Sequence, residues 1–295
     1  MLWTLFTIIA AAAQTARNAM QRDLTARLGT IGATQVRFLF GLPFGAVFLT
    51  AILLATGEMI PDLSWRFAGW TLAGAIGQII ATALMLSAMT SKSFVVTTAY
   101  TKTEPVQVAL FGLVFLGDAL TPMLALAILI ATVGVMVLGW PKAGTSLGRE
   151  GLRAAAMGIV AGGFFAASAV FFRGAIHSFD AGSIWIRAST TLVAGLGLQT
   201  LILLGYMLVR DRGTLRAILQ AWKPSMLAGL LGASASQFWF LGFSLTSAAR
   251  VRTLGLVEVL FAYAVSGRLF NERPDRREIA GLVLVVLGVA LSLNA

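Results

Sequence analysis

Cysteine is absent and histidine occurs once, at His177, so disulfides, thiolate metal sites and cysteine nucleophiles are excluded. No Walker-type phosphate loop is present, which removes bound ATP as a driving force. Charge is scarce, at 12% of residues. The first apolar run has neither a basic n-region nor a small-residue cleavage site, so it reads as a retained helix rather than a removed signal peptide. No cofactor is expected.

What abounds is apolar sequence. Of 295 residues 58% are hydrophobic, and the mean hydropathy is +0.87, far outside the balance of a soluble domain. A membrane span needs about 20 mainly apolar residues. Charges and turn residues divide the chain into ten candidates, at 2–21, 33–56, 67–89, 94–116, 121–140, 153–174, 182–209, 225–246, 249–268 and 276–294. The expected fold is an all-α integral membrane protein with ten transmembrane helices, and little chain is left over for a soluble catalytic domain.

The net charge of +10 could point to nucleic acid in a soluble protein, but here its placement decides. Alternate connections hold Arg22, Arg27, Lys92, Lys142, Arg149, Arg153, Arg210, Arg212, Arg216, Lys223, Arg268, Arg273, Arg276 and Arg277 on one side, against Arg66, Arg173 and Arg250 on the other. The positive-inside rule makes the first set cytoplasmic and puts both termini outside the cell inner membrane. Arg276 and Arg277 read as a solvated anchor beside anionic lipid. The expected partners are the bilayer, a small-molecule substrate and protons, with no nucleic acid, in a monomer or weak dimer.

The chain repeats itself once. Leu72-Ala73-Gly74 followed by Gly77 recurs as Leu227-Ala228-Gly229 followed by Gly232, and Arg37 corresponds to Arg187. Glu104 pairs with Glu258, Asp118 with Glu272, and Gly134 with Gly288. The two units are expected over 1–145 and 146–295. Each holds five spans, and five is odd, so the second must enter the membrane in the opposite sense. Inverted repeats of this kind recur in secondary transporters, with the substrate site near the midplane where they meet.

Lys102-Thr103-Glu104-Pro105, then Phe115-Leu116-Gly117-Asp118, then Gly134-Val135, resembles the signature of EamA-type members of the drug/metabolite transporter superfamily. The second half repeats the layout as Val257-Glu258-Val259, Phe270-Asn271-Glu272 and Leu287-Gly288-Val289. The resemblance covers essentially the whole chain. It implies a ten-helix permease and says almost nothing about the solute. Val259 stands where the second proline of the pattern would be, so the two halves are expected to kink differently. Many family members keep their termini in the cytoplasm, which is opposite to the charge count here.

Glu104 and Glu258 are the only two acidic residues near the middle of the apolar stretches, where an ionisable group is costly and hints at function. Along the fourth span Thr97, Tyr100, Thr101, Glu104 and Gln107 recur at helical spacing and form one polar stripe. Such a stripe either lines a cavity, with Glu104 binding substrate or a proton, or forms a hydrogen-bonded seam between helices. Pro105 removes a backbone hydrogen bond and is a candidate hinge. Glu258 has no stripe; only Arg252 and Tyr263 offer polar tips in its span, and a buried ion pair with an intramembrane cation is as good a reading as function. Lys102 lies about 200° around a continuous helix from Glu104, so the two should not pair.

Other intramembrane cations divide. Arg37 and Arg187 lie near helix starts and are expected to snorkel to the interface. Gln14, Arg17, Asn18 and Gln21 share a face that reads as a vestibule wall or as a polar helix end. Ser234, Gln237 and Ser244, with Trp239 adjacent, and Gln78 with Thr82 present neutral hydrogen-bonding groups suited to a polar organic molecule. Gly41 and Gly45 read as close helix packing.

The leading function is a secondary transporter for a small polar organic metabolite, an amino acid or an amine, coupled to protons through Glu104. An intramembrane serine hydrolase is the second class, built on Gly232-Ala233-Ser234-Ala235-Ser236 with His177 as base. A passive channel is the third, although no carbonyl-rich filter motif is visible.

Overall fold

The computed structural model describes residues 1–89, 100–139, 149–261 and 275–295, and these are helical with short connections and no strand among them. The elements are α1 (Leu2–Leu39), α2 (Gly41–Thr56), α3 (Trp65–Met89) and α4 (Glu104–Phe111), which runs into a π-helical turn at Gly112–Leu116. The second part of the chain follows with α5 (Pro122–Gly139), α6 (Arg149–His177), α7 (Ile184–Arg210), α8 (Arg212–Gln220), α9 (Trp222–Leu245), α10 (Ala248–Leu254) and α11 (Arg276–Leu293). Thr97, Tyr263 and the Phe270-Asn271-Glu272 motif lie outside the described residues.

Among the described residues, six helical segments are long and apolar enough to cross a membrane, with Glu104–Leu116 a shorter apolar helix. Large apolar side chains point outward all around the bundle, Leu54, Val114 and Leu201 among them. Surface of that kind suits lipid rather than water.

The expected connection over 22–32 is not a loop. Its residues stay helical, and α1 runs through them with a single interruption at Gly29, whose φ of +69° glycine adopts without strain. Phe40 alone then separates α1 from α2. Past α7, the Asp211 carboxylate caps α8 by accepting the Thr214 N–H at 3.0 Å. Hydrogen bonds from the Thr214 side chain and backbone hold the Asp211 pKa below its ordinary value. The α8 helix turns Ile218 inward against α1, beside Gly32.

Packing is arranged between the halves rather than within them. The most extensive helix pairs are α1 with α9, α3 with α6, and α5 with α11, and each joins one element before residue 140 to one after 149. At the α5–α11 seam a Cβ on Gly288 would stand 2.5 Å from the Ala131 amide nitrogen, and one on Gly134 would stand 2.7 Å from that of Val285. The two backbones approach so closely that only hydrogen fits at these positions. Gly41 and Gly45 seat Leu196 and Leu192 of α7, the close packing that their spacing predicts.

Outside the apolar bundle, the Glu58 carboxylate accepts the Ser183 N–H at 2.7 Å and ties the α2–α3 connection to the start of α7. That bond from the Ser183 backbone, supported by its side chain, holds the Glu58 pKa below the usual carboxylate range.

Candidate functional site

Both spans that carry an intramembrane glutamate are broken next to it. Tyr100 and Thr101 are helical, Lys102 and Thr103 form a turn, and α4 starts afresh at Glu104. In the second half α10 ends at Leu254, Gly255 and Leu256 form the turn, and helix resumes over 257–261, which carries Glu258. The short bonds Thr103 N–H to Tyr100 O and Leu256 N–H to Thr253 O mark the two turns.

Two expectations are corrected here. Pro105 does not kink the interior of a helix, because it stands in the first turn of α4, where its missing N–H would have no helical partner anyway. The halves also break alike despite Val259. In place of proline, Gly255 allows the break by admitting Trp239, whose ring would meet any Cβ there at 2.5 Å.

The breaks redirect the charged side chains across the boundary between halves. Lys102 forms an ion pair with Glu258. Arg252 Nε lies 3.1 Å from Glu104 Oε1, close enough for an ion pair though without hydrogen-bond alignment. Each carboxylate thus takes its cation from the other half. Arg252 also lies over the Trp239 ring at 4.5 Å and the Phe243 ring at 5.6 Å. Trp239 Nε1 donates to Gln14 Oε1 at 3.1 Å, and Gln14 Nε2 donates to Glu258 Oε2 at 2.8 Å. The result is an open circuit of contacts running Glu104, Arg252, Trp239, Gln14, Glu258 and Lys102, drawn from α1, α4, α9, α10, the turn at 102–103 and the helical segment 257–261. Both glutamates are 8% exposed.

Arg17 and Arg37 adjoin this circuit. Their stems flank Gly232 of α9, each within 3.5 Å of where its Cβ would be. Arg17 is within electrostatic reach of Arg37, Lys102 and Arg252. Arg37 is 3% exposed and donates to Thr82 Oγ1 at 3.0 Å, so it does not snorkel to the interface as its position near a helix start predicts. The long α1 carries it inward, and Thr82 and the face of Phe38 replace the water it lacks. Arg187 is partly buried and stands outside the circuit.

The remaining polar candidates form helix seams nearby. Gln107 turns away from Glu104 into the gap left by Gly162 and Gly163 of α6, and donates to Ile159 O at 3.2 Å. The expected single stripe is therefore divided between two surfaces. Tyr100 is partly buried and Thr101 buried beside Gly162, while Asn18 Oδ1 accepts from Arg17 at 2.8 Å. Gln78 accepts from Gln199 at 2.7 Å, and Gln237 donates to Ser189 at 2.8 Å, so both third and eighth spans are tied to α7.

Sequence reasoning passed over Lys102, Arg37 and Phe243 as site members. Phe243 had a legible signal, four residues after Trp239 on one helical face. Lys102 had none, because its direction depends on the break.

A second polar cluster sits at the ends of α6 and α9. Arg173 pairs with Asp118 at 2.6 Å and donates through Nε to Thr246 O at 3.1 Å. His177 is helical, at the end of α6 rather than in a connection, and its Nε2 lies 3.1 Å from Phe243 O. Ser234 and Ser236 precede Phe243 on α9 by about two helical turns or more, on the order of 10 Å or more along the axis, so the base and nucleophile of a serine hydrolase are not brought together. Among the described residues no cluster of metal-ligating side chains occurs.

Comparison with known proteins agrees with this architecture. A solved crystal structure superposes with a TM-score of 0.65 at 16% identity, covering 98% of this chain and 96% of its own, a likeness that bears on fold alone. No curated protein matches the sequence. The profile of the EamA-like transporter family matches twice, over residues 1–140 and 152–294. The chain therefore belongs to the EamA-like transporter family, built as two repeats and embedded in a membrane through several passes.

Proposed function

We propose that this protein is a secondary active permease moving a small polar organic solute across the cell inner membrane by alternating access. Ten spans form two inverted five-helix repeats, with both termini outside, and the repeats rock about a site at their meeting plane. The observation that carries this reading is the circuit in which each repeat supplies the counter-ion for the other's carboxylate. Rocking would separate the partners of each pair, so opening the site exposes both signs of charge at once. An amino acid, with one carboxylate and one ammonium, is the solute class that complements them; a simple amine would engage the glutamates alone.

Proton coupling is assigned to Glu104. Protonation would release Arg252 from its ion pair and free the α4–α10 contact to move. At the other cluster, the Arg173 bridge to Asp118 and Thr246 serves as a closure on the outer side. The test is counterflow in proteoliposomes: preloaded amino acid should drive saturable uptake of labelled amino acid, stimulated by an imposed pH gradient. Uptake that rises linearly with concentration would indicate a pore instead.

A further inference from the structure

Charge in the interior does not balance. Arg17, Arg37, Lys102 and Arg252 share it with Glu104 and Glu258, and the two carboxylates are already committed to Arg252 and Lys102. Among the described residues no carboxylate lies within ion-pair distance of Arg17 or Arg37. Arg17 is 2% exposed, and its Nε and Nη1 have no hydrogen-bond partner; only Nη2 is used, on Asn18.

An arginine only 2% exposed, with two of its three nitrogens idle and a second arginine beside it, is unfavourable twice over. It forgoes solvation, and like charges repel more strongly where the dielectric is low. Packing reinforces the arrangement, since both stems lie against Gly232, where a side chain would come between α9 and the pair. A guanidinium's planar fork matches two oxygens of an oxyanion, and two adjacent forks match one better than any neutral group.

We infer that Arg17 and Arg37 form an anion subsite that takes the carboxylate or phosphate group of a small organic solute, with Arg17 Nε and Nη1 as donors. This rests on the transport reading and sharpens it: the solute must carry an oxyanion, and its remaining groups lie toward the Glu104–Glu258 circuit. Amines without an acidic group are excluded as substrates.

The test uses the purified full chain in lipid nanodiscs, with melting followed at constant sodium in chloride, L-aspartate, succinate or glycerol phosphate, and with putrescine chloride as the cationic control. An organic anion should raise the melting temperature of the wild type above the chloride value, putrescine should not, and Arg17→Gln should weaken the effective anion at least tenfold. Arg17→Gln in chloride should melt no lower than wild type, because it removes an uncompensated buried charge, and this separates loss of binding from loss of fold. Carboxylate and phosphate sources are told apart by which of the three anions acts. Equal stabilisation by chloride, no stabilisation by any of them, or an undiminished effect in Arg17→Gln each overturns the subsite. Counterflow in proteoliposomes reports separately: saturable exchange of an uncharged or cationic solute that Arg17→Gln leaves intact refutes the subsite while leaving transport standing, and absence of exchange for every solute refutes transport.

Discussion

Lys102, two residues before Glu104, is bound not to that glutamate but to Glu258, its counterpart in the other half of the chain. The reciprocal pair, Arg252 with Glu104, runs the opposite way. Removing one partner of such a buried pair leaves a charge without a counter-ion, which costs on the order of 3–5 kcal/mol. Lys102→Met should therefore lower the melting temperature clearly, and Lys102→Met with Glu258→Gln should recover most of the loss. A double-mutant cycle measures this directly; additive losses would mean that the two side chains do not depend on one another.

Glu104→Gln keeps the shape of the side chain and removes its carboxylate. Accumulation driven by a pH gradient should be lost, while exchange with solute on both sides persists at a reduced rate. Full retention of proton-driven accumulation in proteoliposomes would move the coupling role elsewhere.

Arg252→Lys preserves charge but not the plane that lies over Trp239 and Phe243. Transport should fall by roughly tenfold, the scale of the ~1–2 kcal/mol that a desolvated cation–π contact contributes. Tryptophan fluorescence should change as well, since Trp239 loses the guanidinium against its ring.

Glu58 gives a pH dependence of known sign. Its folded-state pKa is depressed from 4.5 by the Ser183 hydrogen bonds, so its contribution is present above the ordinary carboxylate range and lost as pH falls through the lower, folded value. Melting curves of wild type should slope downward over that acid window, and Glu58→Gln should flatten the slope. An unchanged slope in the variant would assign it to other groups.

Gly288→Val would drive a side chain into the Ala131 backbone at the α5–α11 seam. Overpacking of this kind costs about 1–3 kcal/mol where neighbours can shift, and more against backbone. A lowered melting temperature with reduced yield is expected, and a variant as stable as wild type would refute the close approach.

How far the sequence could be read depended on whether a property travels with residue type or with path. The repeat, the apolar class of the fold and the two glutamates were all legible, since periodic spacing and charge in an apolar run carry them. That Glu258 pairs with an intramembrane cation was legible too, but which cation was not. As expected, Lys102 does not pair with Glu104, but the reason is the turn at 102–103, which sends it toward Glu258, rather than its angle on an unbroken helix. Arg37 was placed by its distance from an expected helix start, but the helix begins at Leu2 and bends only at Gly29. The second break had no proline to announce it, because space for Trp239 at Gly255 is a tertiary fact.

The pairing of α1 with α9 sets the order in which this interior can be assembled. A growing chain must release Gln14 and Arg17 long before Trp239 and Glu258 exist to receive them. Until then the polar face of α1 has lipid or translocation machinery for company. Contacts so distant in sequence form slowly. Because each glutamate takes its counter-ion from the other half, a chain severed between residues 140 and 149 would regain both ion pairs only when the two pieces meet in the same bilayer.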